Sequence, residues 1–176
     1  MITNLVYRSA TLDDASAIAR VHLQAWKESY VGLIEQEYLD SISFSDRLKL
    51  RRNMLTTANS KKLNLVVLHN EKIIGFCDAG PCFTPSSDYK GEVYAIYLLN
   101  EYKHLGIGTE LIQMAKKHLV EQELTPFIVW VLAENKSACR FYEKCKGFVF
   151  QRKHEWIGSV QYQEIGYLYH VQENSN

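Results

Sequence analysis

The chain of 176 residues carries 20 Lys and Arg against 20 Asp and Glu, so no net charge draws it to nucleic acid or an anionic membrane. With 47% hydrophobic residues and three prolines it is composed as a folded protein, which excludes a disordered chain, and its length suits one domain, taken as 1–176. No apolar run reaches the ~18 residues of a spanning helix, and the polar start "MITNLVYRSATLDD" is unlike a signal peptide, so a cytoplasmic protein without membrane contact is expected.

In chain order, "NLVYRSA" predicts a short strand, and Thr11 and Asp14 stand near capping-box positions before a helix. That helix places Ala15, Ile18, Val21, Leu23, Ala25 and Trp26 on a broad apolar stripe. A second helix, "SFSDRLKLRRNMLTTA", starts at a Ser cap with Leu48, Met54 and Leu55 on one face; its basic residues are expected on the solvated face. "LNLVVLHNEKIIGFCDAG" has two β-rich runs joined at His69, Asn70 and Glu71, a hairpin signal. In the strand "GEVYAIYLL", alternation assigns Glu92, Tyr94, Ile96 and Leu98 to one face and Val93, Ala95, Tyr97 and Leu99 to the other.

From Gly108 a helix follows with Leu111, Ile112, Ala115 and Leu119 on one stripe; "PFIVWVLA" reads as a strand buried on both faces. Asn135 opens another helix, and "FVFQRKHEWIGSVQYQEIGYLYHV" reads as two strands joined near Ile157 to Ser159. The count is about seven strands and four helices in mixed α/β order, with a frayed tail expected at 172–176.

The stretch "YKHLGIGTELI" sets two glycines between a strand and a helix, a layout in which main-chain N–H groups and the helix's positive end can meet a phosphate. It is not a P-loop, because Thr109 and Glu110 stand where that motif needs Lys and Ser or Thr. Nor is it a dinucleotide fingerprint, because Leu111 occupies the third glycine's place. Cys77, Cys82, Cys139 and Cys145 form no C-x-x-C pair, and the six histidines show no ligand spacing, so no metal is expected.

"EVYAIYLLNEYKHLGIGTELIQMA", followed by "WVLAENKSACRFYEKCKGF", resembles the GCN5-related N-acetyltransferases over roughly residues 5–171, most strongly over 92–148. That family's signature is Q/R-x-x-G-x-G/A after a strand, with Asn and Tyr seven residues apart on a later helix. Lys103, His104, Leu105, Gly106, Ile107 and Gly108 match the first element here, and Asn135 and Tyr142 the second. Two departures stand out: Lys103 replaces the usual Gln or Arg and lacks a guanidinium fork, and "YEKCKGF" is one residue longer than the usual "YEKLGF".

The resemblance implies a single-domain α/β (α+β) fold, a mixed, mostly antiparallel sheet whose fourth and fifth strands splay around acetyl-CoA, the co-substrate. It implies that amides from Leu105 to Thr109, with Lys103 and His104 beside them, receive the pyrophosphate. The backbone of Ile96, Tyr97 and Leu98 would pair with pantetheine as an added strand, and Asn135 would bond the cofactor or cap its helix. An alkylammonium of pKa ~10.4 must lose a proton before attack; Glu92 is the candidate base, its alternative being a strand-edge carboxylate paired with Lys, and Glu134 and Glu155 stand behind it. Tyr142 holds the family's proton-donor position for the departing thiolate, or is a core tyrosine.

The first helices resemble the acceptor wall of bacterial members of the family, so Trp26 and Tyr30, with Tyr38, are pocket candidates, each equally a core residue. The expected function is direct acetyl transfer, in a ternary complex, to a primary amine on a small molecule or peptide. The alternative is a non-catalytic acyl-CoA-binding or regulatory module. A homodimer through the C-terminal strands, rich in Tyr162, Tyr167 and Tyr169, is also expected.

Overall fold

A computed structural model describes residues 2–57, 59–84 and 86–170; the tail expected to fray lies outside them. The strands are β1 (Leu5–Ser9), β2 (Leu63–His69), β3 (Lys72–Pro81), β4 (Gly91–Leu98), β5 (Phe127–Leu132), β6 (Phe148–Ile157) and β7 (Val160–Tyr169). The helices are α1 (Ala15–Tyr30), α2 (Gln36–Ser41), α3 (Phe44–Thr56), α4 (Ile107–Glu121) and α5 (Lys136–Lys144). The seven strands match expectation, and five helices replace four because α2 forms a single short turn around the buried Leu39. So brief a helix leaves no period to read.

The strands form one sheet in the order β1-β2-β3-β4-β5-β7-β6, antiparallel except between β4 and β5. The β2–β3 hairpin turns at Asn70 and Glu71 with φ of 48° and 67°, positive values suited to a tight hairpin turn. The parallel pair is short. Gly91, Glu92 and Val93 pair with Phe127, Ile128 and Val129, and beyond them, among the described residues, β4 and β5 have no ladder partners on their facing edges.

A β-bulge explains where β4 leaves the ladder. Ala79 pairs with Val93 but Asp78 pairs with Ala95, so Tyr94 is the extra residue. A bulge bends its strand and resets the alternation of side chains. Strict alternation across β4 is therefore corrected: Val93 packs in the same cluster as Ile96 and Leu98, beneath Leu111 and Ile112 of α4, while Ala95 and Tyr97 face the cluster containing Ile18, Val21 and Phe76. The Tyr94 hydroxyl donates to the carbonyl of Pro81, anchoring the bulge to β3.

The basic run of α3 is also corrected, since Arg51 is the buried residue of that helix. Its Nη1 pairs with Asp78, its Nη2 donates to His22 Nδ1 at 3.2 Å, and its Cζ lies 4.1 Å from the Phe76 ring centroid. Accepting at Nδ1 leaves the His22 proton on Nε2. Burial and the charges of Arg51 and Arg47 hold His22 neutral, its pKa pushed down to about 2. A guanidinium whose charge is matched and whose Nη atoms are bonded, though its Nε is not, is enclosed where a solvated face was expected.

Two outcomes follow. Removing one partner of a buried pair strands the other, so Arg51→Met should cost about 3–5 kcal/mol in urea unfolding, and Arg51→Met with Asp78→Leu should recover much of it. His22 stays neutral when folded but takes up a proton below about pH 6.5 when unfolded, so its contribution to stability is lost as pH falls below 6.5. From pH 6.5 to 5, His22→Gln should show a shallower loss of unfolding free energy than the parent, by up to ~1.4 kcal/mol per pH unit.

Candidate active site

Between the diverging strands lies a cleft of about 730 Å³ that opens at the glycine turn and runs along β4 past Tyr97, Trp130 and Tyr142. After β4 the chain makes a 3-10 turn at Asn100–Tyr102, and His104 and Gly106 take positive φ of 62° and 87° before α4 starts. This winding turns consecutive amides outward. Among the described residues the N–H groups of His104, Leu105, Gly106, Ile107 and Gly108 find no acceptor, whereas Thr109 N–H donates to Gly106 O at 3.0 Å. The free set runs from 104 to 108, one residue earlier than the sequence suggested, because Thr109 closes the first helical turn.

A side chain at Gly106 would meet no protein atom within 4 Å, so the space above these amides is open. A small anion fits there, held by N–H groups and the positive end of a 15-residue helix. Lys103 lines the same cleft, its Nζ 3.3 Å from Ser29 Oγ at the end of α1. It brings a cation to the mouth without a carboxylate partner within 4.0 Å among the described residues.

The second motif meets the first across the cleft. Asn135 caps α5, its side chain accepting from Ala138 N–H at 3.1 Å, and both residues line the cavity. A Cβ at Gly108 would lie 3.3 Å from the Phe141 ring, so α4 and α5 approach closely at a glycine, and Tyr142 follows on the cleft wall. Tyr142 is 7% exposed, its phenol is driven well above its ordinary pKa mainly by burial, and its hydroxyl makes no hydrogen bond among the described residues. Tyr142 belongs to the core cluster and also lines the cleft.

The additional residue in "YEKCKGF" is absorbed beyond the tyrosine. Gly147 N–H donates to Tyr142 O and Lys146 N–H to Glu143 O, each at 2.9 Å, with Lys146 at φ 72°. This is a Schellman cap. It leaves the spacing from Asn135 to Tyr142 intact.

Glu92 does not border this cleft. It sits half-buried where β4 pairs with β5, Oε2 accepting from Phe83 N–H at 3.3 Å, and burial raises its pKa above the ordinary 4.5 despite that bond and the charge of Lys153. Lys153 instead pairs with Glu164 at 3.3 Å and Glu155 at 3.5 Å, its Nζ 4.3 Å from the Trp130 ring centroid. Tyr30 lines the cleft, its hydroxyl 3.4 Å from that of Tyr97; Trp26 lies behind it, ring centroids 4.7 Å apart. Glu134 is an exposed partner of Lys136. Reasoning from sequence did not single out Phe141 and Trp130, which line the cleft and left no local signal. Among the described residues no group of three or more His, Cys, Asp and Glu is placed to hold a metal, and no helix is long and apolar enough to cross a membrane.

Splayed strands, free amides at a helix start and a tyrosine facing them define an acyl-CoA-binding transferase class, and the comparisons agree. The Acetyltransferase (GNAT) family model matches residues 23–148, and the chain belongs to that family. It is 32% identical over 164 residues to the uncharacterized N-acetyltransferase YuaI of Bacillus subtilis, covering 90% of this chain and 89% of the relative. It is 25% identical over 140 residues to the spermidine N(1)-acetyltransferase of Thermoplasma acidophilum, covering 78% and 84%. The fold is shared with PaiA N-acetyltransferase from Thermoplasma acidophilum in complex with coenzyme A, at TM-score 0.68 and 24% identity over 91% of this chain and 97% of that one. It is shared as well with ribosomal-protein-alanine N-acetyltransferase from Brucella melitensis, at TM-score 0.73 and 16% identity over 94% and 99%. The chain is an acetyl-CoA-dependent N-acetyltransferase whose acceptor is an amine.

Gly106→Val places a branched side chain over the free amides and in a left-handed conformation that costs such residues about 1–2 kcal/mol. It should weaken acetyl-CoA binding at least tenfold in calorimetry, with the far-ultraviolet dichroism of the fold retained.

Proposed function

We propose direct transfer of the acetyl group within a ternary complex, with no acyl-enzyme stage. Acetyl-CoA supplies an activated thioester. The amides of residues 104–108 with Lys103 receive its pyrophosphate, and the free edge of β4 at Ile96, Tyr97 and Leu98 receives pantetheine. Asn135 serves chiefly as the α5 cap beside it. One observation carries this reading: Tyr142, its hydroxyl group unbonded among the described residues, lines the same cleft as the free amides. The Tyr142 phenol is protonated at neutral pH and, though burial makes it a weaker acid than a free phenol, its place on the cleft allows it to hydrogen-bond a leaving thiolate and pass it a proton.

Glu92 is the proposed base, acting through water, since it stands beside rather than on the cleft. Its raised pKa brings a carboxylate toward the range useful for proton uptake. Trp26 and Tyr30 form the acceptor wall. The acceptor is a small-molecule amine or a peptide, and the buried thiols of Cys77 and Cys139 suit a cytoplasmic setting. Tyr167 and Tyr169 are core residues and correct the expected tyrosine surface; of the C-terminal strands it is edge strand β6, with Phe148, Val149, Phe150 and Trp156 exposed, that is proposed for a homodimer; a light-scattering mass of 20.4 kDa would remove it.

Tyr142→Phe should lower kcat at least tenfold while acetyl-CoA affinity stays unchanged; unchanged kcat would remove Tyr142 from the chemistry. Activity should fall as pH drops through the raised pKa of Glu92, and Glu92→Gln should lower kcat and abolish that limb of the kcat profile.

A further inference from the structure

Resting on the acetyltransferase reading above, we infer that the acceptor carries a carboxylate as well as its amine, and that Arg47 receives it. Arg47 projects from α3 into the aromatic cluster of the acceptor wall, its Cζ 5.0 Å from the Trp26 ring centroid. Its charge acts on the phenols of Tyr97 and Tyr38. Tyr97 and Tyr30, which share a hydroxyl contact of 3.4 Å, line the cleft, and Arg47, not itself a lining residue, stands on the Trp26 side of that aromatic cluster.

What sets Arg47 apart is its lack of a carboxylate partner, since a buried Nε without an acceptor is common to Arg47 and Arg51. Arg51, one turn later, is matched by Asp78, and Arg8 by Asp14 at 2.7 Å. Among the described residues no carboxylate lies within 4.0 Å of Arg47, and its buried Nε has no acceptor. The adjacent Asp46 is engaged in the helix cap, 2.6 Å from Ser43 Oγ. Half-burying a cation without an acceptor is costly, and here burial lowers the Arg47 pKa. A planar guanidinium stacked on an indole presents a fixed fork, the geometry that binds a carboxylate through two parallel hydrogen bonds.

Two carboxylates stand near the same aromatic cluster, both within the field of Lys153, which pairs with Glu164 at 3.3 Å. Glu164 of β7 and Glu92 of β4 are half-buried carboxylates, and the field of Glu164 reaches Tyr30 as that of Arg47 reaches Tyr97. The tyrosine pair thus stands between a cation and an acid. An amino acid or similar zwitterion meets complementary charge at each end, whereas a polyamine brings a second cation against Arg47.

The test uses matched acceptors with and without a carboxylate: L-lysine and cadaverine, L-histidine and histamine, L-tyrosine and tyramine, with spermidine as the polycation. CoA release is measured for the parent, Arg47→Gln and Arg47→Lys, and acetyl-CoA binding is measured by calorimetry for each. The expected result is at least a tenfold higher kcat/KM for the carboxylate-bearing member of any pair used. Arg47→Gln should erase that preference through KM, with kcat and acetyl-CoA affinity unchanged, and Arg47→Lys should retain part of it. Preference for spermidine or a decarboxylated amine, equal loss toward both members of a pair, or no acetylation of any carboxylate-bearing amine despite acetyl-CoA binding overturns the proposal. Failure of the parent to bind acetyl-CoA overturns instead the reading on which it rests.

Discussion

The separation of β4 from β5 after Val93 and Val129 is the constraint on which this molecule is built. Adjacent parallel strands ordinarily continue their ladder, because each unmet N–H or C=O removed from water is unfavourable. Here three paired residues hold the strands together at one end, and the bulge at Tyr94 bends β4 immediately afterward. The unmet main-chain groups are consequently left facing a cleft, available to an extended polar ligand. The same separation sets the Tyr142 wall opposite the β4 edge.

Each face of the sheet then takes one part of the chemistry. On one face, α4 and α5 close on each other at Gly108 and Phe141, bringing the amides of one helix start near the tyrosine of the next helix. On the other, α1 and α3 carry the aromatic and cationic residues of the proposed acceptor wall. The buried Arg51, Asp78 and His22 hold that second layer against β3. Such a network stabilises little by itself, since desolvation offsets its attraction, but it tolerates few alternative placements of α3. The position of Arg47, one turn from Arg51, is fixed by the same helix.

Much of this was legible in the residues. Tight turns are written locally, so the hairpin at Asn70 and Glu71 and the glycine turn at Gly106 were found where expected. Helix caps are equally local, and Asn135 and Ser43 each accept from the amide three residues on. The long apolar stripe of α4 gave its buried face correctly at Leu111, Ile112, Ala115 and Leu119. The resemblance carried the pairing of the two motifs, which lie far apart in the chain and meet only across the cleft. Where Lys146 interrupts the pattern, its left-handed cap keeps the extra residue downstream of Tyr142.

The sequence by itself determined the strands, the helices other than α2, their order, the capping residues and the glycines of the turn before α4, because each depends on interactions within a few residues. Tertiary structure alone decided the faces of β4, since a bulge depends on the register with β3. It also decided that Arg51 is buried while Arg47 is left without a partner, although both stand in one basic run. A charge is enclosed or exposed according to what packs against it, and Asp78 arrives from a strand 27 residues further along the chain. Glu92 shows the same division: its place at the start of β4 was plain from sequence, but its distance from the cleft wall follows from where the two strands part.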